Sequence, residues 1–257
     1  MSFVDAHIHL ADPGYAGKVE GVVENANQHN VSSMLSNATD YETSLATIKL
    51  AKQYPGKVLA AVGVHPFTTT QTTTFHLDKL AALVDENRDC VRAIGEIGLD
   101  GKYTQDEQIK NRQREIFRYC LNLAEERNLP AVVHSRQAVP EVLDTLVDFK
   151  TLKILFHWYD GLIENLQLFK ERGYWISIGP AVLYSRRINE ITRSADLGMI
   201  LSETDGPVNY RGLFEGKLTQ PSFVIDVVRK ISEIKGMNPD AVRDQILSNF
   251  ERFTAAR

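Results

Sequence analysis

Short β-branched or apolar runs alternate with longer amphipathic stretches along this chain, and that rhythm admits few architectures. Strand-like runs occupy Phe3–Leu10, Val31–Asn37, Val58–Val64, Val91–Ile97, Ala131–His134, Lys153–Phe156, Tyr174–Ile178 and Met199–Ser202. Helical periodicity fills Gly17–His29, Tyr41–Gln53, Leu77–Asn87 and Gln105–Arg127, then shorter stretches to the end. In the longest of these, Ile109, Ile116, Phe117, Cys120, Leu123 and Ala124 recur at helical spacings and share one face. Eight strands and eight helices in strict alternation require parallel strands joined by right-handed crossovers. Eight such units can close into an α/β TIM barrel, the (β/α)8 fold. An open doubly wound sheet is the fallback, weakened because no Gly-x-Gly-x-x-Gly follows a strand.

A length of 257 residues, 43% of them hydrophobic, suits one such barrel. No composition shift or repeat marks a second domain, so residues 1–257 read as a single unit. The longest loops, Pro66–His76 and Gly206–Gln220, fall on the strand-exit side. Asn238 and Pro239 start a final helix whose apolar stripe is Val242, Ile246, Leu247 and Phe250. With 29 basic against 33 acidic residues the chain has no broad positive field for duplex nucleic acid, so phosphate recognition must be local. Cys90 and Cys120 lack metal-knuckle spacing and read as small core residues of a reduced, cytoplasmic protein. No leader pattern or membrane-length apolar run is present, so neither secretion nor a membrane association is expected.

His7, His9, Glu96, His134, His157 and Asp205 fall at or just past strand ends, which a barrel gathers on one face. His7 and His9, two apart on a strand, point the same way and can grip one cation. Glu96 has two oxygens and is the natural bridge between a first site of His7, His9, Glu96 and Asp205 and a second of Glu96, His134 and His157. Two divalent ions are expected, Zn, Mn, Mg, Fe or Co, with the identity open because the ligand chemistry alone favours the transition metals over Mg. Asp5 and Glu203 are candidates for support behind the ligands, or for buried salt bridges.

The chain resembles the TatD family of metal-dependent hydrolases, barrel enzymes related to the amidohydrolases and best known as deoxyribonucleases. The likeness runs the whole length through Val4-Asp-Ala-His-Ile-His-Leu10, Gly63-Val-His-Pro66, Ala93-Ile-Gly-Glu-Ile-Gly-Leu-Asp100, Val133-His-Ser-Arg136, His157 and Glu203-Thr-Asp205. It implies the same six ligands, with Glu96 where many amidohydrolases carry a modified lysine. The sequence departs from the family at Phe67, which replaces a usual second histidine, at Trp158-Tyr-Asp160, and at Gly206-Pro207 with Arg211-Gly-Leu-Phe-Glu215. Positive charge is thereby lost where a nucleic-acid strand is expected.

The expected chemistry is hydrolysis of phosphoesters at DNA ends or in nucleotides by a hydroxide made at the bridged cations, with Asp205 and Glu96 as catalytic groups and Asp205 as general base. His65, as the resemblance implies, and Arg136 and Arg211 are candidate substrate contacts. Trp158, Tyr159 and Tyr184 read as rim packing, with base stacking the rarer role. His29 and His76 fall on a helix end and a loop, without chemistry. Amide, ester or lactone hydrolysis at the same cations is the rival activity, and a non-catalytic scaffold the third reading. No protein partner is required by anything in the sequence.

Overall fold

The structure, a computed structural model, describes residues 2–255. One sheet contains β1 (Phe3–Ile8), β2 (Val31–Asn37), β3 (Val58–Val62), β4 (Val91–Gly98), β5 (Ala131–His134), β6 (Ile154–Phe156), β7 (Trp175–Ile178) and β8 (Ile200–Ser202) in chain order. Every neighbouring pair is parallel. Between successive strands run α1 (Val19–Gln28), α2 (Tyr41–Gln53), α3 (Thr74–Glu86), α4 (Glu107–Glu126), α5 (Val139–Leu146), α6 (Asn165–Arg172) and α7 (Arg186–Ser194). This is the expected (β/α)8 architecture, with each strand covered by a crossover helix. On α4 the buried face holds Ile116, Phe117, Cys120, Leu121, Leu123 and Ala124.

Two α-helices follow β8, α8 (Val224–Lys235) and α9 (Pro239–Thr254), so the described residues hold nine and not the expected eight. Val224, Val227, Val228 and Ile231 repeat at helical spacing and bury one side of α8. α9 begins as its sequence suggests, with Asn238 accepting from Asp240 N at 2.8 Å, and it packs against β1 and β8 from outside. α3 starts earlier than expected because Thr73 caps it, its hydroxyl accepting from His76 N. His76 therefore lies in the first helical turn and not in a loop. Cys120 is fully buried, whereas Cys90 is only partly covered at the start of β4. Among the described residues no helix is long and apolar enough to cross a membrane.

The seam between β8 and β1 is closed largely by side chains. Ser202 Oγ donates to Val4 O at 2.8 Å, and Thr204 N and Oγ1 donate to the Asp5 carboxylate at 3.0 and 2.5 Å. Burial pushes the Asp5 carboxyl up to about 7 against these bonds. Just above, Asp205 N donates to His7 O and His9 N to Gly206 O, both at 2.7 Å. The seam thus delivers Asp205 beside His7 and His9.

β4 and β5 approach so closely at their exits that Gly98 has no room for a side chain. A Cβ there would stand 2.1 Å from His134 O, and its φ of +140° is disfavoured for any other residue. Gly98→Ala should therefore destabilise the protein by about 3 kcal/mol or more, read as a fall in the urea midpoint. A midpoint within experimental error of wild type would show that the two strands are not held this tightly.

Candidate metal centre

Six side chains from five strands meet at the strand-exit end. His7 Nε2 and His9 Nε2 lie 3.1 Å apart, and each stands 3.2–3.4 Å from both Glu96 Oε2 and Asp205 Oδ1. Donors about 2.0–2.2 Å from one tetrahedral cation stand roughly 3.3–3.6 Å from each other, so His7, His9 and Glu96 have close to the right spacing for a single ion, with Asp205 Oδ1 within 3.4 Å of both imidazoles. The other oxygen of the same carboxylate faces a second group. Glu96 Oε1 lies 2.7 Å from His134 Nδ1 and 2.7 Å from His157 Nε2, and those two nitrogens are 3.3 Å apart.

The far side of each ring decides which nitrogen offers a lone pair. His9 Nδ1 is 2.9 Å from Asn37 O, a pure acceptor, so Nδ1 keeps its proton and Nε2, facing the Glu96 and Asp205 carboxylates that hold the ring's pKa up against burial, is the nitrogen that can release its proton to a cation. His134 Nε2 is 2.7 Å from Asp100 Oδ2 and keeps its proton there, while Nδ1, 2.7 Å from Glu96 Oε1, is the nitrogen that gives up its own to offer a lone pair; burial works against charge on the ring, but the two carboxylates raise its pKa. His65 is the opposite case. Its Nε2 lies 3.3 Å from both Glu96 Oε1 and His134 Nδ1, close enough to pass for a ligand. Its Nδ1, however, accepts from Phe67 N at 3.1 Å, and burial lowers its pKa, so the neutral ring must carry its proton on Nε2. His65 therefore points a hydrogen-bond donor into the site, where a ligand would need a lone pair.

Electrostatics also favour added positive charge. Burial opposes ionisation of Glu96 and Asp205, yet the surrounding imidazoles hold Glu96 well below and Asp205 below the ordinary carboxylate range. Burial also works against charge on His157, but the Glu96 carboxylate overrides it and lifts the ring to about 9. His7 stacks on His157 at 3.9 Å and cannot share that charge; burial and this neighbour drive it down to about 3. Among the described residues the buried Nδ1 atoms of His7 and His157 have no hydrogen-bond partner, and both rings turn Nε2 inward. The donor chemistry, spacing and potential all suit divalent cations at Glu96.

Comparison with known proteins identifies the family. The sequence pattern described as TatD related DNase matches residues 4–255. The chain belongs to that family. A metal-dependent hydrolase of Methanocaldococcus jannaschii is 33% identical over the whole of this chain and 98% of its own length. The human protein named deoxyribonuclease TATDN3 is 27% identical, covering 97% of this chain and 93% of its own. The crystal structure of the Escherichia coli TatD homologue YjjV superposes with a TM-score of 0.91 at 26% identity, over 98% of this chain and 97% of that one. This chain is a metal-dependent hydrolase of the TatD type.

Around the centre of this TatD-family hydrolase opens a cavity of about 650 Å³, lined on one side by the polar cluster and on another by Phe67, Trp158, Pro207 and Val208. Arg136 lines it too, packed over the Phe67 ring at 5.3 Å and held by Asp100 Oδ2 at 2.8 Å. Arg211, the other arginine singled out from sequence, is exposed and outside this lining. Trp158 stacks on Tyr210 at 5.7 Å and forms the wall. Tyr159 is a core residue instead, fully buried with its hydroxyl donating to Leu162 O at 2.7 Å. Trp158 and Asp205 both adopt positive φ, +40° and +47°, a costly backbone state that functional sites tolerate.

Asp100 escaped the sequence reading. It is buried, accepts from Lys102 N and Tyr103 N, and burial, which would raise its carboxyl, is outweighed by His134 and Arg136, which bring it down to about 2. Its signal was available as the last residue of the Glu96–Asp100 motif, but its partners lie on β5. Glu203 accepts from Trp158 N at 3.0 Å and from Ser177, and its carboxylate lies 3.8 Å from His157 Nδ1. Asp5 and Glu203 thus both sit behind site residues, and among the described residues neither pairs with a lysine or arginine.

Because His157 holds a proton up to about 9, cation binding must displace protons. Affinity for Zn2+ should therefore rise from pH 6 toward pH 9 and flatten above it, in competition titrations against a coloured chelator. A pH-independent affinity would exclude these imidazoles as ligands. Asp100→Asn should weaken metal retention by about 10–100-fold while leaving the fold intact, as judged by circular dichroism and metal content. Full retention would show that the carboxylate does not hold His134 in its binding form.

Proposed function

We propose that this protein is a divalent-metal-dependent phosphodiesterase acting on the ends of DNA strands or on small nucleotides. One observation carries this reading: the two oxygens of Glu96 face separate groups of donors, His7 and His9 on one side and His134 and His157 on the other. Two cations are inferred, the first held by His7, His9, Glu96 and Asp205 and the second by Glu96, His134 and His157. Four imidazoles and two carboxylates suit Zn, Mn, Fe or Co better than Mg. When bound, such a pair polarises a phosphoryl oxygen and makes water nucleophilic near neutral pH.

The chain's own groups then have separate tasks. Asp205, kept ionised beside His9, is placed to take a proton from the attacking water and return it to the leaving oxygen. His65 offers Nε2–H to a phosphate or leaving oxygen. Arg136 presents a guanidinium whose orientation is fixed by Asp100, suited to forking onto phosphate oxygens. The Phe67 and Trp158 walls exclude water and give the flat faces on which a base or sugar can rest. The naming of the human relative as a deoxyribonuclease supports the nucleic-acid substrate. The free thiols of Cys90 and Cys120 support a reducing, cytoplasmic setting.

Chelation should abolish release of nucleotides from single-stranded DNA ends, and divalent metal should restore it. Glu96→Gln should reduce turnover roughly a thousandfold or more with the circular dichroism spectrum unchanged. Arg136→Ala should raise KM about tenfold with a smaller effect on kcat. Turnover of an ester or lactone panel with none on any phosphodiester would transfer the site to carbonyl hydrolysis.

A further inference from the structure

Beside the metal-centre cavity lies a second depression of about 510 Å³, lined by Tyr184, Arg186, Asn189, Glu190, Arg193 and Lys230 among others. Three cations, Arg186, Arg193 and Lys230, line it with one carboxylate, in a chain whose net charge is -4; Arg186 pairs with Glu190 at 3.1 Å and Lys230 with Glu233 at 2.9 Å. Leu183, in the lining of this depression, and Trp158, a wall of the metal cavity, both pack against the cluster of Tyr210, Phe214 and Phe223, and Arg187, next to Arg186, donates to Gly161 O and to the backbone oxygen of Asp160, which lines the metal cavity.

The start of α7 breaks an ordinary helix rule. Its first turn contains no acid and carries Arg186 and Arg187 at the positive end of the helix dipole, an arrangement that costs local stability. Ser185 takes up Ile188 N–H, and the adjacent Arg186 side chain is 93% exposed, engaged by Glu190 alone at 3.1 Å. An exposed pair of that kind contributes little to stability. Tyr184, immediately before the helix, exposes 46% of its surface and adds a face for stacking.

We infer that this groove between α7 and α8 binds the phosphate backbone of single-stranded nucleic acid, holding the part of the strand that extends beyond the metal-centre cavity. The inference rests on the nuclease reading for its occupant. It supplies the local positive surface that the overall charge lacks and that Arg211, outside the cavity lining, does not provide there.

The test uses the metal-loaded full chain and a cleavage-resistant phosphorothioate oligothymidylate of about twenty nucleotides, followed by fluorescence anisotropy. The double variant Arg186→Glu, Arg193→Glu should weaken binding at least about tenfold. It should also flatten the plot of log affinity against log salt by about 1.4, two contacts at about 0.7 each. Its kcat/KM on a small chromogenic phosphodiester should stay within twofold of wild type. Tyr184→Ala should weaken binding without changing the salt slope. Unchanged oligonucleotide affinity and salt slope in the charge-reversed variant would overturn the groove, even if the small diester is still cleaved. Groove-dependent binding with no cleavage of any phosphodiester by wild type would instead uphold the groove and overturn the nuclease reading.

Discussion

A single buried carboxylate shared between two sets of donors organises this site. Glu96 is almost wholly excluded from solvent, and its ionised form survives only because five imidazoles surround it. Each imidazole in turn depends on a group behind it or on the carboxylate itself. Asn37 O fixes His9, Asp100 fixes His134, and the Phe67 amide turns His65 from a base into a donor. Removing the central charge would leave imidazoles crowded at about hydrogen-bond distance without the anion between them. The fold tolerates this costly cluster because the chemistry needs it there.

The barrel is what makes the convergence geometrically cheap. Parallel strands in chain order bring their exits to one rim, so residues separated by most of the sequence become neighbours without long loops. The seam between β1 and β8 matters most, since Asp205 reaches His7 through a backbone bond there while Asp5 ties the strands together below. Gly98 serves the same end on the other side, letting β4 and β5 approach where Glu96 and His134 meet.

The strands and most helices were legible because period-two and period-3.6 patterns are local, and a strand exit can be read from where the pattern stops. The six proposed ligands were legible for the same reason: each sits at such a stop. α8 was not separated from α9 because the Gly206–Gln220 loop hid where the eighth crossover begins. Tyr159 could not be told from Trp158 by sequence, since adjacent residues past a strand end point to opposite environments only once the turn is known. Asp100 stayed hidden because its importance lies in a bond across strands to His134 and Arg136. The tautomer of His65 was hidden for a similar reason, being set by a backbone amide two residues away.

The account stands or falls on cations at both oxygens of Glu96. An anomalous-difference electron-density map of the metal-loaded protein, collected at the absorption edge of the added ion, tests it directly. Two peaks should appear, one among His7, His9, Glu96 and Asp205 and one among Glu96, His134 and His157. A loaded, active crystal with no peak touching Glu96, or with one touching only one of its oxygens, would contradict the shared-carboxylate site.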